Sequence, residues 1–319
     1  QMLTIAASLS VRNPFMSPMD KRQEANEAKA KLLGDEGVDV TQSDHICLLY
    51  AYEKWNQQKS ERARRDFASE YFISHQSMTE IRNLRRDFAQ TMKEIGFADV
   101  SIRATSRADG NVLSGESVRL IKAALCAGLY PNVINVLKPL QKYTETSGGA
   151  LAANPQAREL KMFVRDITNG INSNGVSQSQ APSDKGDADD GTKHRIQKTR
   201  VFIHPSSINF TQRKYGCPWM VYGEKVLTSK LFIRDSTVIP PYCLMFFGGK
   251  IDIQHEKGTV TVDDWIVLKS QARIGVLIRE LKQLVDKQLR RKISNPDTDL
   301  SNSSVLDVMR RLVIGSGYK

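Results

Sequence analysis

The sequence lacks the features of membrane-spanning and disulfide-stabilised proteins. Hydrophobic residues make up 40% of the chain, but no apolar run approaches the ~18 residues that cross a bilayer, which excludes a membrane protein. Cysteine is scarce and no Cys-x-x-Cys pair occurs, so neither a disulfide scaffold nor a zinc site is indicated. We expect buried free thiols in a reducing compartment. The four cysteines are Cys47, Cys126, Cys217 and Cys243.

Motifs for nucleotide hydrolysis and metal binding are also missing. The segment nearest to a P-loop, residues 170–177, has Val176 where the phosphate-binding lysine would stand. The chain contains no Asp-Glu-x-His sequence. Residues 187–191 resemble a calcium loop only faintly, because the glycine comes one position early and no bidentate Glu follows. We therefore predict no catalytic residue and no metal ligand in this chain.

Positive charge is what the sequence has in excess. Lys and Arg total 46 against 35 Asp and Glu, which gives a net charge of +11. A surplus of this size favours an anionic partner, and nucleic acid is the first candidate.

Hydrophobic periodicity divides the chain into a helical part and a strand-rich part. Up to residue 131 the apolar residues recur at helical spacing, and Ser43 or Asp44 and later Ser77 are the predicted helix N-caps. After Pro131 short strands follow one another closely, which favours a small barrel. One predicted strand covers residues 244–247, with Gly248-Gly249 as a hairpin turn.

Two further segments have distinct patterns. Residues 170–195 are polar and without periodicity, so we expect a disordered insertion there. Residues 272–293 form a predicted basic amphipathic helix whose apolar stripe should pack back on the barrel and leave the basic face outward. The stripe consists of Ile274, Leu277, Ile278, Leu281, Leu284, Val285 and Leu289.

Short motifs follow one another along the chain. They are S-D-H at 43–45 with Trp55 beyond, A-G-L-Y-P-N-V at 127–133, H-P-S-S-I-N at 204–209, P-Y-C-L-M-F-F-G-G at 241–249 and D-W-I at 264–266. In the same order they resemble motifs of the C-terminal region of DEAH/RHA-type ATP-dependent RNA helicases. The resemblance covers nearly the whole chain, whereas both RecA-like ATPase lobes of that family have no counterpart here.

The resemblance implies an α+β chain with an N-terminal α-helical ratchet-like domain, an OB-fold-type β-barrel and C-terminal helices. Residues 1–17 would be the end of a winged-helix region, and residues 18–131 the helical helicase-associated (ratchet) domain. The OB-fold domain would cover residues 132–271, including the insertion at 170–195. Residues 272–319 would form the C-terminal helices.

The resemblance also implies a function. The chain would be the accessory RNA-clamping part of a DEAH-box helicase that remodels RNA or RNA–protein complexes, inside the cell in the cytoplasm or nucleus. Its partners would be single-stranded or structured RNA and the RecA-like lobes of the parent helicase, which would bind ATP and Mg²⁺. The alternative is a non-catalytic module that docks on a protein or on the ribosome. A steep salt dependence of RNA binding would favour the RNA-clamping function over the docking module.

Candidate RNA contacts are cationic or hydroxyl side chains near strand ends and along the predicted barrel hairpin. Arg82, Arg85 and Arg86 are more readily explained as a solvated helix face. The three tryptophans, Trp55, Trp219 and Trp265, are expected in the core. The candidates are Lys122, Lys138, Lys142, His204, Ser206, Ser207, Lys225, Lys230 and Arg234.

We predict that the isolated chain does not hydrolyse ATP, because it has no P-loop and no acidic motif to hold a nucleotide and its metal ion. Phosphate release by the purified chain should stay at background with and without RNA, beside a P-loop ATPase as positive control. RNA-stimulated turnover by the chain would contradict the prediction.

Overall fold

The computed structural model describes residues 1–34, 41–97, 113–137, 143–146, 149–152, 156–165 and 197–315. The insertion predicted at 170–195 and the candidate contacts Lys138 and Lys142 lie outside these residues. The described N-terminal part is helical, as the periodicity predicted. Its helices are α1 (Met2–Leu9), α2 (Arg22–Lys31), α3 (Asp44–Asn56), α4 (Glu61–Glu70), α5 (His75–Glu94) and α6 (Gly115–Leu129).

Serine caps start most of these helices. The Ser43 hydroxyl accepts a hydrogen bond from the Ile46 amide at 3.2 Å, which confirms Ser43 as the cap of α3. The prediction of Ser77 as a cap was wrong. Ser74 caps α5 and accepts from the Ser77 amide at 3.2 Å, because the first turn of the helix begins three residues earlier. Ser60 and Ser114 cap α4 and α6 in the same way.

The strand-rich part contains a closed barrel. Its order is β1-β4-β5-β7-β6, antiparallel throughout except for the parallel contact between β5 and β7. This five-stranded closed arrangement is that of an OB-fold, and the predicted α+β fold class is confirmed. The strands are β1 (Val133–Leu137), β4 (Lys161–Arg165), β5 (Lys198–Ile203), β6 (Trp219–Leu227) and β7 (Leu231–Val238), with a separate hairpin of β2 (Tyr143–Thr146) and β3 (Gly149–Ala152).

A smaller unit follows the barrel. It consists of a short helix, α7 (Pro241–Phe247), a three-stranded antiparallel sheet, and two helices, α8 (Ala272–Ser294) and α9 (Ser304–Gly315). The sheet strands are β8 (Ile251–Gln254), β9 (Thr259–Val262) and β10 (Ile266–Lys269), in the order β10-β9-β8. Helix α8 packs on α7, α9 and β8.

The prediction of a strand at residues 244–247 was wrong, because this segment belongs to α7. A short run that is apolar at every position fits a buried helix as well as a buried strand, and periodicity does not separate the two. Pro241 starts the helix. Gly248 and Gly249 are not a hairpin turn: a Cβ atom at Gly248 would collide with the Leu244 carbonyl, and one at Gly249 with the Asp263 carboxylate.

The aromatic core agrees with the sequence, but the arginine face does not. Trp55, Trp219 and Trp265 are all buried, as expected. Arg85 is buried as well, with its guanidinium carbon 5.6 Å from the centre of the Tyr52 ring. Arg82 reaches over the ring of Trp55 at 5.4 Å, so only Arg86 fits the solvated face that we expected.

The stripe of α8 is split between two faces. Ile278 and Val285 are buried, on a helix that packs mainly on α7, α9 and β8 and not, as predicted, on the barrel. Ile274, Leu277, Leu284 and Leu289 are exposed. The expectation that the whole stripe packs inward was wrong. The apolar positions span more of the helix circumference than one contact with the fold can cover.

A buried carboxylate joins the helical part to the barrel. Asp44, the first residue of α3, accepts from the backbone amides of Ile208 and Ser236 at 2.9 and 3.0 Å. The ammonium of Lys29 lies 3.7 Å from the same carboxylate and donates to the Ser206 carbonyl at 2.8 Å. Both charged side chains are buried, so each depends on the other for compensation.

The next residue of α3 extends this junction. The ring Nδ1 of His45 lies 2.7 Å from the Thr237 hydroxyl on β7, and its Nε2 is buried without a hydrogen-bond partner. Burial lowers the pKa of His45 to about 4, against a smaller opposing effect of Asp44. The imidazole is therefore neutral in the folded protein near pH 7.

We predict that Asp44→Ala lowers the free energy of unfolding by about 3–5 kcal/mol, because it leaves the buried Lys29 ammonium without its counter-ion. Urea unfolding followed by circular dichroism measures the change. The control is Asp87→Ala on the exposed face of α5, which should cost less than about 0.5 kcal/mol. A loss below about 1 kcal/mol for Asp44→Ala would contradict the role of the junction.

We also predict that His45 makes the fold sensitive to acid. Its folded-state pKa of about 4 lies below the value of about 6.5 in the unfolded chain, so the unfolded state binds the proton first. Stability should fall as the pH drops from about 6.5 to about 4, by up to about 1.4 kcal/mol per pH unit.

Urea unfolding of the chain and of His45→Asn across this pH range tests the prediction. Burial raises the pKa of Asp235 to about 6, which stabilises the fold on acidification and opposes His45. The difference between the two proteins removes this contribution, since both retain Asp235. His255→Asn, at an exposed histidine, should follow the parent chain. Parallel curves for the parent and His45→Asn would refute the assignment.

Candidate nucleic-acid interface

The outer face of β4, β5 and β7 collects aromatic and cationic side chains. Residues of β5 alternate, so that Val201 and Ile203 are buried in the barrel while Arg200 and Phe202 point outward. The register places Phe163 of β4 opposite Arg200, and Phe202 opposite Phe232 of β7. Directly opposed residues lie on the same side of a sheet, so the strands build one continuous surface.

The phenylalanines on this surface are partly open to solvent. Phe163, Phe202 and Phe232 are half-buried. The rings of Phe202 and Phe232 lie 6.2 Å apart at an angle of 52°, so each limits the movement of the other. Aromatic rings that are fixed and half-exposed on a barrel can stack on the bases of a single strand.

Cations surround these rings. The Arg200 guanidinium carbon lies 5.1 Å and the Lys230 ammonium 4.8 Å from the centre of the Phe202 ring. Both side chains are exposed, and neither is in an ion pair with another described residue. Lys161 and Lys198 extend the positive charge along β4 and β5. We call Phe163, Arg200, Phe202, Lys230 and Phe232 the barrel outer face.

His204 lies at one end of this face, directly after β5. Its ring meets Phe232 edge-on, with the ring centres 5.8 Å apart. The Ser206 amide donates to Nδ1 at 3.2 Å, and the Ser206 hydroxyl lies 2.7 Å from the same atom. Burial and the neighbouring Arg234 and Arg22 lower the pKa of His204. A neutral ring whose Nδ1 accepts carries its proton on Nε2, so the imidazole can donate from that side.

The predicted hairpin lysines and arginine do not form one row. Lys230, near the turn between β6 and β7, belongs to the barrel outer face. Arg234 points outward too, but its guanidinium is 3.4 Å from the Glu224 carboxylate. Lys225 is paired in register with Ile233, which is buried, and so lies on the opposite side of the hairpin from Arg234. The pairing register of β6 with β7 could not be predicted from the sequence.

The remaining predicted contacts have other surroundings. Lys122 is only 5% exposed, inside α6, and burial lowers its pKa to about 8. Ser207 is buried and donates to the Asp44 carboxylate, so it belongs to the contact between the helical part and the barrel. Ser206 is half-buried beside His204. We leave Lys122 and Ser207 out of the proposed interface because neither side chain reaches the surface.

Sequence reasoning missed the aromatic residues of the barrel outer face. The alternation in K-M-F-V-R at 161–165 and in K-T-R-V-F-I at 198–203 is a signal that was present. It places cations and Phe on one side of each strand and mainly apolar residues on the other. The sequence did not show how the strands pair, because the pairing depends on residues that are far apart in the chain.

No group of three or more His, Cys, Asp or Glu side chains within the described residues could hold a metal ion. Among the helices of the described part, none is long and apolar enough to cross a membrane. The four cysteines are buried and free.

Three family models match the chain in succession. The helicase associated domain (HA2), ratchet-like, matches residues 1–77. The oligonucleotide/oligosaccharide-binding (OB)-fold matches residues 121–251. The C-terminal domain in RNA helicases matches residues 258–315. The second match contains the whole described barrel.

Curated relatives match over nearly the whole chain. The ATP-dependent DNA/RNA helicase DHX36 of Bos taurus is 31% identical over 321 residues, covering 98% of this chain and 27% of the relative. The putative ATP-dependent RNA helicase DHX57 of Homo sapiens is 34% identical, covering 93% of this chain and 20% of its own length. The ATP-dependent RNA helicase DHX29 of Mus musculus is 26% identical, covering 97% and 19%. The chain thus spans about a quarter or less of these relatives.

Proposed function

Because the chain carries the helicase-associated, OB-fold and C-terminal domains of DEAH-box ATP-dependent RNA helicases, we propose that it is the part of such a helicase that holds single-stranded RNA. It does so on the barrel outer face, without sequence preference. Bases stack on Phe202 and Phe232, and Arg200 and Lys230 neutralise neighbouring phosphates. His204 donates from Nε2 to the backbone or a sugar at the end of this face.

The observation that carries the proposal is the combination of rings and unpaired cations on one side of the barrel. A solvated surface of mixed charge would pair its cations with carboxylates, as Arg234 pairs with Glu224. Arg200 and Lys230 lie instead over the ring of Phe202. This arrangement gives a strand both phosphate neutralisation and base stacking within one short distance.

Opening of RNA would depend on domains outside this chain. We propose that ATP and Mg²⁺ bind to the ATPase lobes of a longer helicase, since this sequence has no phosphate-binding loop. The barrel outer face would stay bound to the RNA strand while those lobes change conformation. The four buried thiols support the proposal that the protein works in a reducing compartment of the cell.

A salt titration tests the proposed interface. Arg200→Gln/Lys230→Gln should weaken binding of labelled single-stranded RNAs, among them an oligouridylate, about equally for every sequence tested. It should also flatten the plot of log affinity against log salt by about 1.4, at about 0.7 per lost phosphate contact. Fluorescence anisotropy at several salt concentrations measures both. The matched control is Lys257→Gln/Lys269→Gln, two exposed lysines of the three-stranded sheet region, which should leave the slope unchanged.

Phe202→Leu separates stacking from charge. It keeps an apolar side chain on the barrel but removes the ring, and should cost about 1–3 kcal/mol in RNA binding at unchanged salt slope. Thermal unfolding verifies that the variant is folded. If the charge variant and the control gave equal slopes, the RNA site would lie elsewhere and the docking-module alternative would be favoured.

A further inference from the structure

We propose that the outward stripe of α8 is a docking site for an acidic amphipathic helix of a partner protein. The stripe consists of the exposed Ile274, Leu277 and Leu284, with the half-buried Leu281, which also packs against the core, between them. Their spacings of three and four residues repeat as in a heptad pattern. The stripe is separate from the barrel outer face, and the inference does not rest on RNA binding.

Most of the stripe is exposed to solvent, although Leu281 also packs against the core. Gly275, Ile278 and Val285 form the inward face of α8, which packs on α7, α9 and β8. At Gly275 this face lies against Val260 and Ile253 of the sheet. On the outward side, Leu277 is 61% exposed and Leu284 is 49% exposed. These two leucines are seven residues apart, two helical turns, and so lie one above the other. Ile274 is 41% exposed beside them.

The charges around the stripe select an acidic partner. Arg273, Lys287 and Arg291 are exposed on this side and form no ion pair with any described residue. Glu280, also on this side, is 3.8 Å from the guanidinium of Arg279. The stripe therefore has uncompensated positive charge along one flank, like one of the two rows of positions beside a coiled-coil seam. Its other flank is the buried inward face of α8.

Three observations favour an acidic helix over other occupants. A nucleic acid could bind the arginines and the lysine through its phosphates. It would leave the leucines exposed, because phosphates do not cover apolar side chains. A second copy of this chain would bring the same positive flank against itself, which is unfavourable. A helix with Leu at the seam and Glu beside it buries the stripe and neutralises the positive flank together.

The probe for the test is a labelled synthetic peptide of about 21 residues, with Leu at the a and d positions and Glu at the e and g positions of three heptads. Fluorescence anisotropy should show saturable binding to the full chain. Leu277→Ser/Leu284→Ser should weaken it at least about tenfold, the size expected for anchor residues at an interface centre. Val267→Ser, at another exposed apolar residue, is the matched control and should have no effect.

Charge reversal gives a second, independent readout. Arg273→Glu/Lys287→Glu/Arg291→Glu should lose the Glu peptide and gain affinity for the same peptide with Lys in place of Glu. These variants should bind oligouridylate within about twofold of the parent chain, because phosphate contacts of the barrel are left in place.

Several results would overturn the proposal. These are unchanged peptide binding by the leucine variant, equal binding of the Glu and Lys peptides, and displacement of the peptide by oligouridylate. Retention of the chain on anionic vesicles that the leucine variant abolishes would assign the stripe to a membrane surface instead. A dimer in sedimentation that the leucine variant dissociates would assign it to self-association. A failure of RNA binding alone would leave the docking site standing.

Discussion

The buried pair of Asp44 and Lys29 fixes how the helical part meets the barrel. The carboxylate accepts from backbone amides that belong to two separate stretches of the barrel, at Ile208 and Ser236. A buried charge needs a compensating charge and filled hydrogen-bonding positions. Few orientations of α3 against β7 supply all of these contacts at once. The junction therefore sets the position of β7, and with it the outward surface that β7 shares with β5.

That surface follows from the geometry of a small barrel. The interior is filled by aliphatic side chains such as Val201 and Ile233, so side chains that contact a ligand must stand at the outward positions. On β5 and β7 these positions hold Phe202 and Phe232, which pack against each other and are held in place before any ligand arrives. Pre-ordered rings lose less conformational freedom on binding than flexible side chains would.

The C-terminal unit shows the opposite situation, a helix with more apolar surface than its own fold covers. Helix α8 buries Ile278 and Val285 against the rest of the fold and leaves Leu277 and Leu284 exposed on a neighbouring face. Exposed leucines in a row cost stability or solubility unless a partner covers them. Lys282, on the inward side of α8, donates to the carbonyls of Phe246 and Gly248 and so fixes the rotation of α8 about its axis. The outward stripe is thus held in a defined orientation.

Local patterns were sufficient for the class of fold and for much of its element order. Helical spacing, serine caps and closely spaced strands are properties of neighbouring residues, and the helical part and the barrel could be predicted from them. The segment at 241–247 escaped because it is apolar at every position, so that its helical form depends on the surrounding core. The alternation of β4 and β5 even contained the cations and Phe of the proposed interface.

By itself, then, the sequence determined the absence of a phosphate-binding loop, the basic character, the helix-then-barrel order and the motifs of the helicase family. The tertiary structure alone decided which side chains stand together. Strand register put Phe202 beside Phe232 and turned Lys225 away from Arg234. Packing buried Lys122 and left Leu277 exposed. Contacts of this kind join residues distant in the chain, and no local spacing encodes them because they depend on how whole elements pair and pack.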